Sequence, residues 1–246
     1  MDGLLMSSLV GATVAIAGTG LGGMIALSVA RPSRRFLSGS LSFSAGLMIA
    51  VVCFDILPEA FLIAGMGIGL LGVVAGVFLV AVCDELIQSY PAKNGGKISQ
   101  EYKRAGIFMG MVIALHNFPE GLAIGSGFSA FESYGLGLSL VIGIHDISEG
   151  VAMAIPMSLG GMGRLKVLII AFFAGIPTGV GAISGYLLGD ISHLFVSVSL
   201  GFAGGAMLYL ILGELMPKSR DVYKGRISGF LAVLGAIAGI VMSGLI

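Results

Sequence analysis

The sequence predicts an all-α membrane protein with eight transmembrane helices, and three observations carry that expectation. Of 246 residues, 57% are hydrophobic and only 11% are charged, with 41 glycines and a mean hydropathy of +1.05. A soluble domain is about 25% charged, so this chain has too few solvated side chains to cover itself in water. That excludes a cytosolic enzyme, a disulfide-stapled secreted domain and a nucleic-acid binder. Second, eight apolar runs each approach or exceed the roughly 20 residues that cross a hydrocarbon core about 30 Å thick. Third, all thirteen Lys and Arg fall at alternate connections between those runs.

Span one, 4–30, follows Met1-Asp2-Gly3, which lacks the basic region of a cleaved signal peptide, and is too long for one. It is expected to remain as a membrane helix. Arg31, Arg34 and Arg35 separate it from span two, 37–64. Span three, 68–89, leads into 90–103, the one long polar connection, where Lys93, Lys97 and Lys103 fall, with Arg104 just beyond. Span four is 105–128 and span five 135–159, followed by Arg164 and Lys166 at the start of span six, 165–188. Span seven, 194–216, is followed by Lys218, Arg220, Lys224 and Arg226, and span eight is 227–245. With every base on one side, that side is expected to be cytoplasmic, 90–103 with it, and both termini outside.

Glycines four residues apart, such as Gly18/Gly22, Gly121/Gly125 and Gly235/Gly239, let helix backbones approach closely in lipid. They also leave a homodimer open. Cys53 and Cys83 stand within apolar runs at a spacing that suits neither a metal finger nor a disulfide framework, and are expected in the core.

One ungapped internal similarity stands out. Phe43-x-x-Gly46-x-Met48 followed by Asp55-Ile-Leu-Pro58 matches Phe202-x-x-Gly205-x-Met207 followed by Glu214-Leu-Met-Pro217, always 159 residues apart. Span two would run outward and span seven inward, so spans one to three and six to eight form an inverted repeat around spans four and five. Such repeats characterise secondary transporters whose substrate sites lie near the midplane.

Spans four and five carry the ionisable groups. His116-Asn117-Phe118-Pro119-Glu120-Gly121 and His145-Asp146-Ile147-Ser148-Glu149-Gly150 each begin about ten residues into a span, near mid-bilayer at about 1.5 Å per residue. Groups of this kind cost several kcal/mol in lipid unless paired, hydrated or bound to metal, so they mark function. His at i and Glu at i+4 share a helix face, and two such helices supply His116, Glu120, His145 and Glu149 as four ligands. The donor set suits zinc, and equally Fe(II), Mn(II), Co(II) or cadmium. Asn117 and Asp146 would contact a second ion or support the first. Pro119 should open the Leu115 carbonyl and bend span four. His193 stands alone before span seven and reads as a solvated loop residue.

On these motifs, together with Phe54-Asp-x-Leu-Pro-Glu59-Ala in span two, the chain resembles the ZIP (Zrt/Irt-like) family of divalent metal transporters, its bacterial zinc-uptake branch in particular. The resemblance covers essentially the whole chain as one transporter domain, 1–246. It implies a multi-pass protein of the cell membrane moving Zn(II) or a related divalent ion into the cytoplasm, with His116, Glu120 and Glu149 in the main site and His145 as a further ligand. It also implies a second site of Asn117, Asp146 and a span-six Glu, but Thr178 stands where that Glu belongs, which leaves the second site weak or absent.

Asp55 and Glu59, at the outer end of span two, are expected to draw cations in. Asp84, Glu85 and Glu214, at the inner ends of spans three and seven, are expected to receive them. Met48 offers a thioether to the main site, or only packs. The implied partners are divalent metal ions and the bilayer, with no nucleic acid and no catalytic cofactor; zinc is cargo. Iron, manganese, cobalt or cadmium as main cargo, and a passive channel, remain alternatives. An intramembrane metallohydrolase is disfavoured because no His-Glu-x-x-His or further mid-membrane nucleophile is present.

Overall fold

The structure, a computed structural model, describes residues 3–29, 33–89, 97–188 and 193–244. Its described residues are helical with short connections, and seven helices are long and apolar enough to cross a membrane. They are α1 (Gly3–Ser28), α2 (Arg34–Ala64), α3 (Met66–Ser89), α4 (Lys97–Ala130), α5 (Glu132–Leu159), α6 (Arg164–Leu188) and α7 (His193–Val222). The eighth, α8 (Ile227–Ser243), is shorter at 17 residues. Several helices overrun the apolar runs that predicted them, because hydropathy sees only the part suited to lipid. α4 begins at Lys97, so 97–103, expected as connection, is already helix; 90–96, with Lys93, lie outside the described residues, as does Arg31.

Local chemistry sets the interruptions. Ser33 caps α2, its hydroxyl accepting from the Phe36 N–H at 3.1 Å. Pro58 has no N–H and its ring crowds the carbonyl four residues back. The chain answers with a π turn, Val52–Ile56, after which the Leu57 N–H reaches the Val52 carbonyl. Pro217 has the same consequence in α7, with a π turn at Ile211–Leu215 and Met216 N–H bonded to the Ile211 carbonyl. The two turns are 159 residues apart and contain Asp55 and Glu214. In α6 the helix breaks at Gly175, just before Pro177. Gly65, at φ 87°, permits the single-residue link between α2 and α3.

Two bundles result. α4 lies along α6 and α5, and α1 along α5 and α6; separately, α3 lies along α7, and α2 along α8 and α7. The seam between bundles is formed chiefly by α4 against α7 and α2 against α5. Glycines set the closest approaches within the second bundle. A Cβ on Gly46 would strike the Ala232 carbonyl, and one on Gly205 the Val73 carbonyl. A Cβ on Gly235 would strike the Phe43 carbonyl, and one on Gly76 that of Phe202. Each of these pairs of contacts is related by the same 159-residue offset.

The basic connections meet at one end. Arg35 lies over the Tyr223 ring, and Lys218 over that of Tyr102. Gly160 abuts the Lys103 backbone, and Arg164 donates to the Leu27 carbonyl at 2.7 Å. Phe78, Phe230 and Val241 are exposed on the outer faces, as lipid contact requires. Cys53 is exposed too, against expectation, and Cys83 is half-buried. An apolar run cannot distinguish a core position from a lipid-facing one.

Candidate metal centre

α4 and α5 bring their motifs together within the first bundle. His116, Glu120, His145 and Glu149 are each at most 1% exposed. The His116 Nε2 lies 2.9 Å from Glu149 Oε1, and His145 Nε2 lies 3.4 Å from both Glu120 Oε1 and Glu149 Oε1. Pairing is therefore mainly across helices: each imidazole faces the carboxylate of the other span, with Glu149 serving both. One donor atom each from His116, Glu120 and Glu149 fall within 4.8 Å of one another, as do those of Glu120, His145 and Asp146. α4 runs unbroken through Pro119 in this region.

Hydrogen bonding leaves much of this cluster unsatisfied. Both oxygens of Glu120 and of Asp146, Glu149 Oε2, His145 Nε2 and Nδ1, and His116 Nδ1 are buried without a hydrogen-bond partner among the described residues. Buried carboxylates left so are costly. A divalent cation would compensate them, and N/O donors on this spacing suit one.

Asn117 has a different position. Its Nδ2 donates to the Ala174 carbonyl at 2.8 Å, tying α4 to the break in α6. Its Oδ1 and the Thr178 Oγ1 are buried and have no hydrogen-bond partner among the described residues. Met48 is 1% exposed in the hydrophobic core. Ser44, one turn earlier on the same α2 face, donates to the Ser148 carbonyl of α5 at 3.0 Å, so the Met48 face is turned towards the site helix.

A cavity of about 380 Å³ opens at the end opposite the basic connections and reaches Glu120. Its walls are α2 and α7 on one side and α4 and α5 on the other, and Asp55, Glu59, Ser126, Tyr134 and His193 line it. Asp55 also accepts a hydrogen bond from Ser243 of α8. Sequence reasoning missed His193, Ser126 and Tyr134. His193 is the first residue of α7 and lines the cavity, not a separate loop; an isolated His carries no spacing signal that could have found it. Asp84, Glu85 and Glu214 sit towards the basic end, where Asp84 Oδ2 accepts from the Tyr209 hydroxyl at 3.0 Å, and Glu85 is exposed.

Fold and site together define a polytopic helical membrane protein with a buried imidazole–carboxylate cluster at the base of a cavity. The family profile described as ZIP Zinc transporter matches residues 92–246. The chain is 35% identical to the zinc transporter ZupT of Chlorobium chlorochromatii over 91% of this chain and 90% of that one. It is 33% identical to the ZupT of Clostridium perfringens over 98% and 95% of the two chains, and 32% to that of Streptococcus mutans over 91% and 90%. The chain belongs to the ZIP zinc transporter family.

Proposed function

We propose that the protein carries divalent transition-metal cations across the cell membrane, zinc foremost, and that the ion binds His116, Glu120, His145 and Glu149. The observation that carries this reading is the buried, under-bonded cluster at the base of the cavity. Similarity to transporters named for zinc supports the cargo. Asp55 and Glu59 at the cavity mouth draw cations inward, and Glu214, Asp84 and Glu85 receive them at the other end. Asp146, close to His145 at 3.8 Å, supports the main site. Asn117 and Thr178 offer only neutral oxygens beside it, so a second ion is held weakly if at all. Met48 remains a candidate soft ligand.

The basic end faces the cytoplasm by the positive-inside rule. Gly3 lies against Tyr186 at the far end of α6, and Ser243 bonds Asp55, which supports both termini lying outside. The eight helices form two inverted repeats, α1–α3 and α6–α8, about α4 and α5. The reading is supported by the two π turns and by the glycine contacts, all related by one offset. Access alternates as the bundle of α2, α3, α7 and α8 moves against the bundle bearing the site. The protein acts as a carrier and not as an enzyme; its four-residue glycine pairs are taken up by contacts within the protomer, so a homodimer would have to use other apolar surface.

The test is zinc flux into proteoliposomes reported by a trapped dye. The wild type is expected to give saturable flux, abolished in the His116→Ala/Glu149→Ala double variant, while flux unchanged in that variant would reject the assignment. Competition by Fe(II), Mn(II), Co(II) and cadmium then ranks the cargo.

A further inference from the structure

We propose that Lys218 is a latch that closes the inner mouth of the route while the outer cavity stands open, and that it makes that mouth a place of release instead of capture. The proposal rests on the transport reading above, and its geometry comes from the seam between bundles. The cavity is a cleft in that seam, with α2 and α7 facing α4 and α5. At the opposite, basic end the same seam is bridged. Lys218 Nζ, on α7, lies 5.1 Å from the centroid of the Tyr102 ring, on α4, within the range of a cation–π attraction.

The anchoring of α7 at this end is lopsided. Ser219, the next residue, bonds the Ser38 carbonyl at 2.9 Å and meets the hydroxyls of Ser38 and Ser42. All three serines are fully buried. The backbone at Lys218 is therefore held to α2, in its own bundle, and its side chain reaches across to the other one. A relative movement of the bundles has to break the Lys218–Tyr102 contact while leaving the serine contacts in place.

The internal repeat gives Lys218 its chemical meaning. Position 218 corresponds to Glu59 and position 214 to Asp55, by the same 159-residue offset. The outer mouth thus presents two carboxylates, in a cavity whose lining includes no Lys or Arg among the described residues. At the inner mouth the Asp55-related position keeps a carboxylate, Glu214, near Asp84 and Asp221, but the Glu59-related position carries an ammonium instead. Once released from Tyr102, that ammonium competes with a departing cation for Glu214 and disfavours its return. The same offset identifies what an inner cleft would uncover. Leu37 and Leu41 correspond to Val196 and Leu200 of the cavity lining, and are now 3% and 1% exposed.

The experiment measures accessibility without metal. In protein with Cys53 and Cys83 replaced by Ser, Leu37→Cys is exposed to a membrane-impermeant maleimide on the basic side of oriented vesicles. Labelling is expected to be slow, and to rise about fivefold in Lys218→Met or Tyr102→Leu, the scale of one half-buried cation–π contact. Lys218→Arg and Tyr102→Phe keep a cation over a ring and should stay slow, and the Lys218→Met/Tyr102→Leu pair should label no faster than either single variant. Ser126→Cys, labelled from the cavity side, should slow as the Leu37→Cys signal rises. Equal Leu37→Cys rates in the wild-type background and in Lys218→Met would overturn the latch, whether or not Tyr102→Leu folds. Because labelling needs no cargo, a latch that behaves as expected in protein with no zinc flux would overturn the transport reading alone.

Discussion

Glu149 Oε1 lies 2.9 Å from one imidazole and 3.4 Å from the other, so a single carboxylate oxygen faces both histidines while its second oxygen stays unpaired. Glu149→Gln keeps the shape and removes the charge. It should weaken zinc binding by more than the 10–100-fold typical of losing a supporting partner, read by calorimetric titration of purified protein. Asn117→Ala tests a different role. Its amide is committed to the Ala174 carbonyl at the α6 break, and leaving that acceptor unpaired costs about 1–3 kcal/mol. The expected result is a lower Tm with a smaller loss of zinc affinity than Glu149→Gln; the reverse order would make Asn117 a ligand. Protons compete with metal for imidazole and carboxylate alike, so flux at low zinc should fall as pH is lowered and recover at saturating zinc. That these four side chains could converge was legible because His and Glu recur at i and i+4. Their cross-helix pairing was not, since spacing within a helix carries no information about which neighbour it faces.

At the scale of the helix, prolines and glycines decide geometry. Pro58 and Pro217 each sit behind a π turn that carries a carboxylate. The sequence showed the prolines and their repeat spacing, but a π turn has no residue code of its own. It is the response of a packed helix to a missing N–H. The glycines were legible as close-packing surfaces, though not which backbone each one meets. Gly46 and Gly205 meet Ala232 and Val73 at repeat-related positions. Gly46→Val and Gly205→Val should therefore be about equally damaging, by the roughly 1–3 kcal/mol or more of an overpacked interior. Gly229, with open space around its Cβ position, should accept Ala without loss and gain slightly in helix propensity. Thermal melts of the three variants in detergent check this, and a strong inequality between the first two would count against the repeat. Cys53 shows the limit of the same reasoning: a polytopic helix is apolar on both faces, so depth and facing are not separable from hydropathy.

At the scale of the whole molecule, segregation of charge and division into two bundles belong together. Bases ring one end of the seam, from Arg35 over Tyr223 to Arg164 on the Leu27 carbonyl. The cavity opens at the other end and reaches Glu120 at its base. The one-sidedness was legible from the sequence because lipid allows no scattered charges; the bundle partition was not, because it depends on which glycine faces meet. If access alternates by motion along the seam, restraints across it and within a bundle must act differently. Leu62 and Ala130 line opposite walls of the cavity, on α2 and α4. Joining Leu62→Cys to Ala130→Cys with a bifunctional maleimide should arrest zinc flux. Ser38 and Ser219 also join two helices, with hydroxyls 3.2 Å apart, but both belong to the bundle of α2 and α7. A disulfide between Ser38→Cys and Ser219→Cys should leave most of the flux intact. Both measurements use protein with Cys53 and Cys83 replaced by Ser. Full flux with the Leu62–Ala130 link in place would mean that ions pass a fixed pore, and the carrier would give way to the channel.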